Sequence, residues 1–89
     1  MLKETITIIN KLGLHARASS KFVSCASRFL SEITVIKGSQ QVNGKSIMGI
    51  MMLAASQGTE LQLHIEGEDE RACFEAISTL INNRFDEEE

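Results

Sequence analysis

Apolar and polar residues alternate over Leu2 to Ile9, with Leu2, Ile6 and Ile8 set against Lys3, Thr5 and Thr7. That period of two, rich in β-branched residues, predicts a strand, and Asn10-Lys11-Leu12-Gly13 breaks it. From Ala16 to Leu30 the spacing becomes helical: Phe22, Cys25, Ala26 and Phe29 form a stripe flanked by Val23 and Leu30. Arg17, Ser20, Lys21, Ser24 and Arg28 fill much of the remaining surface, as an amphipathic helix requires. Ile33 to Lys37 and Gln40 to Asn43 read as two short strands joined by Gly38-Ser39. Glycine first in a two-residue connection suits a type II′ hairpin. Asn43-Gly44 then turns the chain, and Ser46 is placed to cap a short helix from Ile47 to about Leu53.

Ser56-Gln57-Gly58-Thr59 ends that segment, and Glu60 to Glu66 alternates most cleanly of all. Leu61, Leu63 and Ile65 face one way, with Gln62, His64 and Glu66 opposite. Gly67-Glu68-Asp69 leads into a last helix, with Asp69 as N-cap and Glu70 in the first turn. Its apolar face is traced by Cys73, Ile77, Leu80, Ile81 and Arg84. The order βαββαβα, with one apolar stripe per long helix and one apolar face per strand, predicts an α+β fold. It is expected to be a two-layer open-faced sandwich: a largely antiparallel four-stranded sheet with helices on one face.

Composition narrows this picture. Eighty-nine residues suit a single domain over residues 1–89. Trp and Tyr are absent, so aliphatic residues and four Phe must fill the core. The net charge of −3, much of it from Asp86-Glu87-Glu88-Glu89, argues against a nucleic-acid partner, which needs a basic face. No apolar run approaches the ~20 residues of a membrane span, so neither membrane insertion nor a signal peptide is expected, and a cytoplasmic setting is the default. Cys25 and Cys73 fit that setting as reduced packing residues. His15 and His64 lie in unlike contexts without a cluster of ligands, so no metal is expected.

The chemistry concentrates at Gly13-Leu14-His15-Ala16-Arg17-Ala18, where a strand has ended and a helix begins. Unpaired N–H groups and the positive end of the helix dipole favour an anion there. A neutral histidine ring offers a nucleophilic nitrogen near neutral pH, and Arg17 can give paired donors to a phosphate. No Ser-His-Asp or Cys-His constellation surrounds it, so the site suggests a carrier rather than an enzyme. On spacing alone a plainer reading stands beside this one, in which His15 merely begins a helix and Arg17 is a solvated charge. Gly44-Lys45-Ser46 has the ending of a phosphate-binding loop, but Ser39 stands where that motif needs glycine, and ATP binding is discarded.

Leu12-Gly13-Leu14-His15-Ala16-Arg17 resembles the active-site signature of the bacterial histidine-containing phosphocarrier (HPr) family. Asn43-Gly44-Lys45-Ser46-Ile47-Met48-Gly49-Ile50-Met51 resembles that family's second signature, at the family's spacing. Length and element order agree as well. The resemblance implies a phosphoenolpyruvate-dependent phosphotransferase system. Enzyme I would phosphorylate His15 on Nδ1, and the A component of an enzyme II would receive the group. Arg17 would support the phosphohistidine, with the backbone of Ala16, Arg17 and Ala18 near the phosphate. One departure is Ala18, where the family usually has proline; the change is expected to loosen the preorganisation of the first turn while adding a backbone donor.

The resemblance also implies that Ser46 is the regulatory serine of an HPr kinase/phosphorylase. Phosphate there would add about two negative charges beside the docking surface. Ile47, Met48, Met51 and Met52 are expected to form a soft apolar docking patch, framed by Ser20, Ser24 and Ser27 with Arg17. A monomer without cofactors fits a carrier that exposes one face to successive partners. Two alternatives remain: a paralogous regulatory or nitrogen-related phosphotransferase carrier, and a small-molecule-binding regulatory module in which His15 plays no part.

Overall fold

Each alternating stretch pairs as a strand and each striped stretch coils as a helix. The computed structural model describes residues Met1–Glu89. Its elements run β1 (Leu2–Thr7), α1 (Ala16–Ala26), β2 (Glu32–Lys37), β3 (Gln40–Asn43), α2 (Ile47–Met52), β4 (Glu60–Glu66) and α3 (Glu70–Asn82). A left-handed turn, Arg84–Asp86, comes after α3. The strands form one sheet in the order β1-β4-β2-β3, every neighbouring pair antiparallel. This is the open, two-layer α+β arrangement expected from the pattern.

The cleanest alternation takes the centre of the sheet. β4 lies between β1 and β2, with Leu61, Leu63 and Ile65 fully buried and Gln62 and Glu66 exposed. Burying each such side chain contributes roughly 1.5–3 kcal/mol. Ile33 and Val35 of β2 join them from one side and Ile6 and Ile8 from the other. Phe22, Cys25 and Ala26 of α1 and Cys73, Ile77 and Ile81 of α3 belong to the same core. Both cysteines are free and buried, and burial above all pushes the Cys73 thiol up to about 11, so it packs as a neutral group. The hairpin forms as read: Lys37 pairs with Gln40, and Gly38 takes a φ of +59°.

Three details differ from the sequence reading. α1 stops at Ala26, short of Leu30, which is 89% exposed. Its final N–H groups shift to the tighter bonds Arg28 N to Cys25 O and Phe29 N to Ala26 O, both 3.2 Å. Asp69 then fixes the path of the chain into β2. Instead of capping α3 with its side chain, its carboxylate accepts from Leu30 N at 2.8 Å, Ser31 N at 3.0 Å and the Ser31 hydroxyl. The Ser31 and main-chain hydrogen bonds hold that carboxyl below its ordinary value. The third difference lies at the end of α3. Arg84 is exposed, and the core position passes to Phe85, which is fully buried.

Candidate functional site

The loop that presents His15 is shaped by a glycine with no room for a side chain. Gly13 has a φ of +65°, and a Cβ there would sit 2.8 Å from Ser56 Cα and closer still to the Ala55 carbonyl oxygen. Leu14 N donates to the same oxygen at 2.8 Å, which ties the loop to the chain just after α2. Gly13 therefore serves the close packing of this loop against the chain after α2. His15 is the N-cap of α1 with extended backbone, φ −72° and ψ 179°, and its carbonyl accepts the first helical bond from Ser19 N at 2.8 Å.

The His15 side chain makes no capping bond, so the ring is left for other contacts. The N–H groups of Ala16, Arg17 and Ala18 precede the first helical bond and have no helical carbonyl to serve. Ala16 and Arg17 are exposed, while the Ala18 methyl is wholly buried in the core. Arg17 enters no ion pair within the chain. The turn thus combines a ring, a free guanidinium and unspent main-chain donors, a set suited to a phosphoryl group.

A residue that sequence reasoning missed completes the site. The Glu87 carboxylate meets His15 Nε2 through one oxygen and accepts from Asn10 Nδ2 at 3.0 Å through the other. Asn10 is fully buried, and the same Nδ2 also donates to the Gly13 carbonyl at 2.9 Å. Desolvation raises the Glu87 carboxyl, but bonds from Asn10 and His15 and the charges of His15 and Lys21 outweigh it, leaving it below its ordinary value. The ionised carboxylate can only accept, so His15 Nε2 is the donor. Phe85 was the available signal, because it extends the Cys73, Ile77, Ile81 series by one more step of four.

The second motif is organised locally. Ser46 is the N-cap of α2, and its hydroxyl oxygen accepts from Gly49 N at 3.1 Å. Lys45 N donates to Asn43 Oδ1 at 2.8 Å, and Lys45 Nζ reaches the Phe29 carbonyl at 2.7 Å. α2 buries Ile50 and leaves Ile47, Met48, Met51 and Met52 between 41% and 72% exposed. Ser20, Ser24 and Ser27 are exposed on and just after α1, as expected. Leu12, 68% exposed on the loop leading to His15, is an apolar surface residue that sequence reasoning did not include. His64 is half-buried in β4, and no cluster of metal-ligating residues is present.

A two-layer sheet-and-helix domain with an unpaired histidine nitrogen at a helix start defines a class of protein suited to carrying a phosphoryl group. The family model described as "PTS HPr component phosphorylation site" matches residues 2–83. Phosphocarrier protein HPr of Neisseria meningitidis is 57% identical over 89 residues, covering all of both chains. The crystal structure of HPr-C-His from Thermoanaerobacter tengcongensis superposes with a TM-score of 0.96 at 49% identity, again covering both chains completely. An HPr dimer from the same organism matches with a TM-score of 0.78 at 49% identity, covering 98% of this chain and 100% of that one. The chain belongs to the HPr family of phosphocarrier proteins of the phosphotransferase system. Its chemistry is that of a carrier, not a catalyst.

Proposed function

We propose that His15 accepts a phosphoryl group on Nδ1 from phosphorylated enzyme I and passes it to the A component of an enzyme II. The observation that carries this reading is the division of labour on the ring: Nε2 is engaged by Glu87, while Nδ1 makes no bond to the helix it begins. Arg17 and the N–H groups of Ala16, Arg17 and Ala18 are the candidates to hold the phosphoryl oxygens. Ile47, Met48, Met51 and Met52 form the docking patch with Ser20, Ser24 and Ser27 around it. Flexible, polarizable methionine suits a surface that must fit several partners in turn.

Ser46 is proposed as a regulatory site for an HPr kinase/phosphorylase. Phosphate oxygens there can still accept from Gly49 N, so the cap survives, while about two negative charges appear beside the methionine patch. The 89 residues act as one carrier domain, monomeric and cytoplasmic, with neither cofactor nor metal. A paralogous regulatory or nitrogen-related carrier would use the same chemistry with other partners.

The test is intact mass after incubation with phosphoenolpyruvate and enzyme I. The chain should gain one acid-labile phosphoryl group, and His15→Ala should gain none. An equal gain in both, or none in the folded wild-type chain with competent enzyme I, would overturn the assignment.

A further inference from the structure

The chain beyond α3 is held in a shape that costs free energy. Arg84, Phe85 and Asp86 have φ of +58°, +53° and +64°, three successive left-handed residues, none of them glycine. Left-handed backbone is disfavoured for residues with a Cβ, so the turn persists only where its surroundings impose it. The anchors are visible. Phe85 is fully buried, and its carbonyl accepts from Lys21 Nζ at 2.7 Å. Beyond it, Lys11 N donates to the main-chain oxygen of Glu89 at 2.9 Å. Between these anchors lies Glu87, its carboxylate bridging Asn10 and His15.

We propose that Glu87 is a positioning residue for phosphoryl transfer, holding the His15 ring with its proton on Nε2 and its Nδ1 lone pair free. The inference rests on the reading of His15 as phosphoryl acceptor. A carboxylate accepts but cannot donate, so it selects the tautomer in which Nε2 carries hydrogen. Asn10 keeps the carboxylate in place by donating to its second oxygen, and is itself oriented by the Gly13 carbonyl. In the transfer step, the Nδ1 lone pair forms the new nitrogen–phosphorus bond. The donor's bond to phosphorus breaks, and its electron pair stays with the donor. The ring gains positive charge with Nε2 still protonated, and the Glu87 carboxylate faces that charge. Onward transfer reverses these changes and restores the neutral ring.

The test uses full-length chain with nitrogen-15 in the histidine ring, as wild type, Glu87→Ala and Glu87→Gln. In the wild type with the ring neutral, Nε2 should resonate as an N–H nitrogen and Nδ1 as a bare one. In Glu87→Ala the two shifts should move toward each other, and the Nε2 proton should exchange faster with water. Transfer from phosphorylated enzyme I should fall on the order of tenfold, the low end of what is lost when a carboxylate orienting a metal-bound imidazole is removed. Glu87→Gln, which keeps an acceptor but loses the charge, should lie between. The amide of Gly49 reports independently that the fold is intact.

Unchanged ring nitrogens in Glu87→Ala would overturn the proposal. So would altered nitrogens with wild-type transfer, or slower transfer with unaltered nitrogens. If the wild-type chain gains no phosphoryl group, the reading of His15 as acceptor fails by itself. The nitrogen shifts still decide whether Glu87 sets the ring.

Discussion

His15 and Ser46 occupy the same place in a helix and are held in opposite ways. Both are N-caps with extended backbone, φ −72° and ψ 179° at His15, φ −113° and ψ 114° at Ser46. Ser46 spends its side chain on its own helix by accepting from Gly49 N. His15 spends nothing on α1, and its ring is held by Glu87, 72 positions away in sequence. A cap that satisfies its helix is stable wherever the helix forms. A ring held from across the molecule depends on the last residues of the chain being in place. The His15 loop packs on Ala55, just past the end of α2 opposite Ser46.

The largest effect should come from removing the anchor on which only one of the two sites depends. Phe85 is fully buried in the core shared by the sheet and helices, so Phe85→Ala should cost about 3–5 kcal/mol in chemical denaturation. In the residual folded population Glu87 should lose its hold on His15. Nuclear resonances of His15 and Asn10 should shift, and that of Gly49 should stay. Equal shifts at Gly49 would mean that the two caps are not independently held.

Most of the fold was legible because it rests on local periodicity. β4 begins and ends where alternation begins and ends, β3 fills the stretch between the Gly38-Ser39 and Asn43-Gly44 turns, and Ser46 caps where a serine before an apolar run should. What was not legible came from side chains that leave their own element. Asp69 reads as the cap of α3, yet its carboxylate serves the main chain of residues 30 and 31, which ends α1 early and turns Leu30 outward. No window along the sequence contains both partners of that contact. The candidate site divides in the same way. His15, Arg17 and Ser46 carry their meaning in contiguous motifs, whereas Glu87 lies in an acidic run that looks like charge alone. Only Phe85, one step of four beyond Ile81, hinted that the run returns to the core.

A smaller effect separates the sites from the other side. Ser46→Ala removes the acceptor for Gly49 N and should cost about 1 kcal/mol. The loss should stay in α2, measured as faster amide exchange at Gly49, with the His15 nitrogens unmoved. A cost near zero would mean that solvent replaces the hydroxyl there without penalty. Movement of the His15 ring would show that the caps communicate through the packing of Gly13 on Ala55.

The smallest effect is a titration that should distinguish the sites without any mutation. Glu87 has its carboxyl held below the ordinary 4.5, so the folded state binds that proton less readily than the unfolded chain does. A depressed carboxyl contributes stability that is fully present above its unfolded value and is lost as pH falls through its folded one. Acidification from about pH 5 downward should therefore weaken the Glu87 contacts to Asn10 and His15. Once protonated, the carboxyl loses its charge-assisted bond to the ring, and electrostatic support from Lys21 goes with it. Ser46 and Gly49 carry no titrating group in their bond, so their resonances should remain steady over the same range until global unfolding. His15 and Asn10 resonances following an acidic transition with Glu87, ahead of Gly49, would identify the carboxylate as the group that holds the ring. If all of these resonances move together, the contact has no separate stability and breaks only with the fold.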